Sequence, residues 1–134
     1  MMKIGDELAY LELGALQPDG RVMASLVAQG LHAATPIDPY EDHVSGQSLV
    51  AFFAHLERLW RGWDGAETWE TLEGEFRVRA RHSGSHVHLD TEIRTYGLRV
   101  GREWAVQLEI VIDPGEQLSR AVSDLRDAFP ATPR

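Results

Sequence analysis

Three successive stretches alternate apolar and polar residues with a period of two, and this pattern constrains the fold more than any other feature. In residues 71–82, Leu72, Phe76, Val78 and Ala80 alternate with Glu73, Glu75, Arg77, Arg79 and Arg81. In residues 86–96, Val87, Leu89, Thr91 and Ile93 alternate with His86, His88, Asp90, Glu92 and Arg94. From Trp104 onward, Val106, Leu108, Ile110 and Ile112 repeat the pattern. Successive side chains of a strand point to opposite faces, so the three segments predict an antiparallel meander with one face buried and the other wet. Ser83-Gly84-Ser85 turns the first pair, and a connection around Gly97–Gly101 joins the second.

Helical spacing brackets the meander. Leu49, Phe52, Phe53, Leu56, Trp60 and Trp63 follow the i, i+3, i+4, i+7 rule, a stripe that must be buried. Ser45 is the expected N-cap, and Gly62 or Gly65 supplies the left-handed residue that ends the helix. A last helix starts at Asp113-Pro114 with Glu116 behind it, buries Leu118, Ala121, Val122, Leu125 and Phe129, and stops at Pro130. Trp104 shares parity with Val106 and Leu108 and is expected to be buried, whereas Trp69 is out of step with Leu72, Phe76 and Val78.

The N-terminal third reads as a hairpin. Residues 4–16, with Leu8, Tyr10, Leu11 and Leu13, form one strand, and Gln17-Pro18-Asp19-Gly20 turns the chain. Residues 21–34 return with Val22, Ala24, Leu26 and Ala28 on one face, and Gly30 marks a bulge or the strand's end. Residues 35–45 carry two prolines and three acids as an irregular connection. The expectation is therefore a two-layer α+β fold. It consists of one five-stranded antiparallel meander sheet with two helices on one face, in the order β-β-α-β-β-β-α. Residues 1–134 form a single domain, by length and by the absence of any linker.

Composition narrows the function classes. A net charge of −8 repels nucleic-acid phosphates and favours a basic partner. With no cysteine there is no disulfide, thiolate metal site or Cys nucleophile. No apolar run reaches the roughly 20 residues of a membrane span. The acidic N-terminus lacks a secretory pattern, so a cytoplasmic location is expected.

Chemistry-bearing patterns are sparse. His86, His88 and Glu92 lie on one strand face, and His-x-His with a following carboxylate resembles the first metal motif of cupins; His82 at the same hairpin end adds a fourth donor. The other histidine that cupins take from a later strand is absent. Cross-strand pairing with Arg77, Arg79 and Arg81 accounts for the same residues without a metal. No nucleophile elbow or phosphate loop occurs, so no catalytic residue and no cofactor is assigned. The connection Asp38-Pro39-Tyr40-Glu41-Asp42-His43 sets an aromatic residue among three carboxylates on a loop, where binding tends to sit. Asp38, Tyr40, Glu41, Asp42 and Trp69 are the candidate binding residues.

"LWRGWDGAETWETLEGEFRVRARHSGSHVHL" followed by "EWAVQLEIVIDPGEQL" resembles a small actinobacterial family of unknown function, over roughly residues 48–128. Its marks are the Trp-Arg-Gly-Trp-Asp-Gly corner, the Leu-Glu-Gly segment before a strand and the Gly-Glu-Gln-Leu helix start. The layout also looks like the wall-associated-protein type of immunity proteins, a resemblance of architecture. It implies a non-enzymatic module that binds a basic partner such as a toxin domain. The alternatives are a metal- or small-molecule-dependent enzyme using His86, His88 and Glu92, or a structural homo-oligomer such as a homodimer.

Overall fold

The computed structural model describes residues 1–43, 45–95 and 103–130; the connection expected around Gly97–Gly101 falls largely outside them. In chain order the elements are β1 (Met2–Gly5), β2 (Ala9–Leu13), β3 (Val22–Ala28), β4 (Leu31–Ile37), α1 (Leu49–Arg58), β5 (Ala66–Glu70), β6 (Phe76–His82), β7 (Val87–Arg94), β8 (Ala105–Ile112) and α2 (Glu116–Ala128). They build two four-stranded antiparallel sheets, β1-β2-β3-β4 and β5-β6-β7-β8. The α+β class stands, but the single five-stranded sheet does not.

Three turns account for the difference. Residues 4–16 are not one strand, because the Asp6 carboxylate accepts the amides of Leu8 and Ala9 at 2.8 and 3.1 Å and folds the chain into a β1–β2 hairpin. Gly5 there takes φ 125°, and a Cβ would sit 2.4 Å from the Ala9 carbonyl oxygen, so only glycine fits. Residues 21–34 likewise split at Gln29-Gly30, where Gly30 adopts φ 73° and reverses β3 into β4. The third turn is Thr71–Gly74, which pairs the additional strand β5 with β6 in the register Trp69↔Val78. That register explains the odd parity of Trp69: it belongs to a separate strand and points inward beside Val78.

One buried cluster draws on both sheets and both helices. Ile4, Leu11, Leu13 and Leu26 meet Phe76, Val78, Leu89 and Ile110, while Phe52, Phe53 and Leu56 of α1 join Leu118, Val122 and Leu125 of α2. Each such side chain contributes about 1.5–3 kcal/mol of transfer free energy on burial. The helices pack on each other, α2 runs along β1, and β8 lies against β1 and β2. The N-cap of α2 is Gly115 rather than Asp113, and Asp113 instead braces the turn before it, accepting the Gly115 and Gln117 amides while its own amide reaches the Gln117 side chain. Among the described residues no helix is long and apolar enough to cross a membrane.

The α1 stripe is shorter than its spacing predicts. Ser48 is the N-cap rather than Ser45, its hydroxyl accepting the Ala51 amide at 3.0 Å. The helix ends at Arg58, so Trp60 has left the helical face and is 49% exposed, against the expectation of burial. Trp63 packs against the core and donates its indole N–H to the Ala80 carbonyl at 3.2 Å. Trp104, also expected inside, is 44% exposed just ahead of β8, and Leu72 is 48% exposed on the Thr71–Gly74 turn.

Candidate functional site

The loop between β4 and α1 is built around one carboxylate. Asp42 is buried to 3% exposure, and its Oδ1 accepts the Ser45 amide at 2.8 Å, the Ser45 hydroxyl at 2.8 Å and the Gln47 amide at 3.2 Å. Burial pushes this carboxyl's pKa up, but the hydrogen bonds from Ser45, Gln47 and Gly46 outweigh it and leave the pKa below the ordinary aspartate value. The same segment is tied on both sides. Leu49 N–H donates to the Pro39 carbonyl at 2.8 Å, and Asp42 forms an antiparallel bridge to Thr71. His43 N–H donates to the Glu70 carbonyl at 2.7 Å. Beneath the loop the buried Trp69 donates its indole N–H to the Gln47 carbonyl at 2.9 Å.

This bracing presents the remaining candidates. Asp38 is exposed and caps its own turn by accepting the Tyr40 amide at 2.9 Å. Tyr40 is half-buried against the core, its hydroxyl has no hydrogen-bond partner among the described residues, and burial followed by the Asp38 charge raises its pKa. Glu41 is exposed, and the antiparallel bridge sets it toward Leu72 and Glu73 on the adjoining turn. Arg94, an exposed cation beside this turn, donates to the Gly74 carbonyl at 2.7 Å and lies 3.8 Å from Glu70. The outcome is a braced loop whose exposed Glu41 stands opposite the exposed Leu72 and Glu73, with exposed Asp38 at its start. Of the sequence candidates, Asp42 and Trp69 hold this loop from below and Asp38 and Glu41 are exposed on it. Glu73 is exposed as its place on the polar face predicts, whereas Leu72, expected inside a strand, is exposed on a turn; its signal is the Leu-Glu-Gly run, in which Gly74 takes φ 78°.

The sheet face with the metal candidates is organised by ion pairs. Glu92 pairs with Arg77 at 3.2 Å and accepts from the Gln107 amide at 3.1 Å. Arg81 bridges Asp90 and Glu109 at 2.8 and 2.9 Å, and His88 Nδ1 lies 3.5 Å from Glu109. His86 sits on the hairpin tip with its Nδ1 at the Ser85 hydroxyl, 3.0 Å away. His82 faces elsewhere: its Nε2 meets the Trp60 carbonyl at 2.8 Å and its Nδ1 accepts the Gly84 amide at 2.9 Å. Among the described residues no group of three or more His, Cys, Asp or Glu is placed to hold a metal ion. A second His–carboxylate contact, His55 Nε2 to Glu67 at 2.6 Å, ties α1 to β5.

No curated protein and no solved structure matches the chain. A family model described as a family of unknown function, DUF6228, matches residues 8–132, and the chain belongs to that family.

Proposed function

We propose that this protein is a non-enzymatic binding module that docks a basic partner, such as a toxin domain, on the surface formed by Asp38, Glu41, Leu72 and Glu73. The observation that carries this reading is the bracing of the loop. Asp42, inside the loop, is committed to internal hydrogen bonds, so the backbone that carries the exposed carboxylates is held in place before any partner arrives. Pre-organisation removes the ordering cost that a free acidic loop would meet on binding. An exposed apolar side chain, Leu72, with Glu41 opposite and Glu73 next to it supplies a centre that a partner can desolvate and a charged edge. The net charge of −8 adds long-range attraction for a cationic surface. An immunity role toward a basic toxin is one biological form of this activity.

The test is titration of the purified protein with basic proteins encoded by adjacent open reading frames. Binding is expected to weaken by roughly tenfold or more between low and physiological salt, through a slower on-rate. Joint replacement Asp38→Asn, Glu41→Gln and Glu73→Gln is expected to produce a comparable loss with the fold intact. Absence of binding to every such protein, or binding indifferent to salt and to these substitutions, counts against the proposal.

A further inference from the structure

The opposite end of α1 carries a surface complementary to the acidic one. Trp60 is half exposed, yet its position is fixed. Its amide donates to the Glu57 carbonyl at 3.2 Å and its carbonyl meets His82 Nε2 at 2.8 Å, while Gly62 N–H closes on Leu59 at 2.8 Å. The Arg61 guanidinium lies over the indole, 5.2 Å from the ring centroid. A stacked guanidinium keeps its in-plane N–H donors available to a carboxylate. Arg58, exposed one turn earlier, has no ion pair among the described residues, and neither does Arg61. Exposed Asp64 and half-buried Glu57 are the corner's own carboxylates, so the feature that selects a partner is the Trp–Arg stack rather than a broad positive field.

We infer that this corner docks on a second copy of the chain, with Trp60 seated against Leu72 and with Arg58 and Arg61 facing Glu41 and Glu73 of the neighbour. The argument is complementarity on the same molecule: an apolar side chain flanked by two arginines at one end, an apolar side chain flanked by two glutamates at the other. Both ends are held by internal hydrogen bonds, so neither needs ordering on contact. Loop 38–43 sits at the N-terminus of α1 and Trp60 at its C-terminus, one helix of ten residues apart, or about 15 Å. Surfaces at opposite ends cannot satisfy each other within one molecule. Two copies satisfy the contact either head to tail or as a two-fold pair in which it is made twice. Its small area makes it weak, with Kd on the order of 100 μM.

Sedimentation equilibrium of the full chain tests this with two variants of exposed residues. Trp60→Ala/Arg61→Gln removes the corner, and Glu41→Gln/Leu72→Ala/Glu73→Gln removes the acidic end. The wild-type mass average is expected to rise with concentration and to fall back in about 0.5 M salt, where the Debye length is only a few ångströms. Each variant alone is expected to stay monomeric. Mixed in equal amounts they are expected to form a one-to-one dimer that grows no further, because each supplies the end the other lacks. A wild type that stays monomeric at about 1 mM, ten times the expected Kd, overturns the inference. So do variants that still associate alone, or a mixture that does not associate. The acidic end is shared with the proposed docking surface, but the outcomes separate: a monomeric wild type leaves partner binding untouched, and failure of partner binding leaves this contact standing.

Discussion

Replacement of Trp69 by alanine is expected to lower the free energy of unfolding by about 3–5 kcal/mol, the range for removing a large aromatic side chain from a packed core. The indole is wholly inaccessible, meets the Phe76 ring edge-on at 6.2 Å and stands opposite Val78 in the β5–β6 register. Its N–H also bonds the Gln47 carbonyl, so the substitution opens a cavity and removes one of that carbonyl's two hydrogen bonds directly under the acidic loop, the Asp42 amide remaining. Against a total of about 5–15 kcal/mol for a domain, this is a large fraction. Trp69→Phe separates the two parts: it keeps most of the apolar volume and removes one of the two hydrogen bonds to the Gln47 carbonyl, which still accepts the Asp42 amide, for an expected loss of about 0.5–1.5 kcal/mol. Urea denaturation of the two variants decides the matter. A loss under about 1 kcal/mol for alanine would place the ring outside the core, since core deletions of this size lie well above that figure.

Asp42→Asn is expected to cost about 1–3 kcal/mol at neutral pH, because one charged acceptor serving three donors becomes a neutral amide. The pH dependence carries a definite sign. The folded-state pKa of Asp42 lies below its unfolded value of about 3.9, so its contribution is fully present above that value and is lost as pH falls through it toward the folded pKa. The stability gap between wild type and Asp42→Asn is therefore expected to be widest near pH 7 and to narrow below about pH 4. Denaturation curves at both pH values check this, and a gap that stays constant would show that the carboxylate's charge is not what holds the loop.

The sequence was most legible where local periodicity and tertiary packing agree. Leu49, Phe52, Phe53 and Leu56 lie on one face of a helix that has a core to cover, and β6, β7 and β8 each border an inner and an outer face, so both patterns survive folding. Trp60 continues the helical pattern arithmetically, but the helix ends two residues before it, and helical spacing no longer sets which way a side chain faces once the helix has stopped. The extra strands were hidden because their turns are made by single residues. Asp6 folds a hairpin through a side-chain hydrogen bond, and Gly30 does so through a positive φ inside a run that otherwise reads as continuous strand. The acidic loop stood out by composition, whereas the different roles of Asp42 and its neighbours did not. Asp42 is buried because a bridge to Thr71, distant in sequence, closes over it, and no local pattern announces such a contact.

The proposed docking surface is tested most directly by hydrogen–deuterium exchange of the free protein and of its complex with a basic partner found by titration. In the free protein the His43, Ser45 and Gln47 amides, all hydrogen-bonded, are expected to exchange slowly for a loop, in keeping with a surface formed before binding. On addition of the partner, new protection is expected over residues 38–43 and 71–74 and not over the outer face of β6–β8. Fast exchange through the free loop, or protection confined to the sheet face around Arg79 and Glu109, would contradict it.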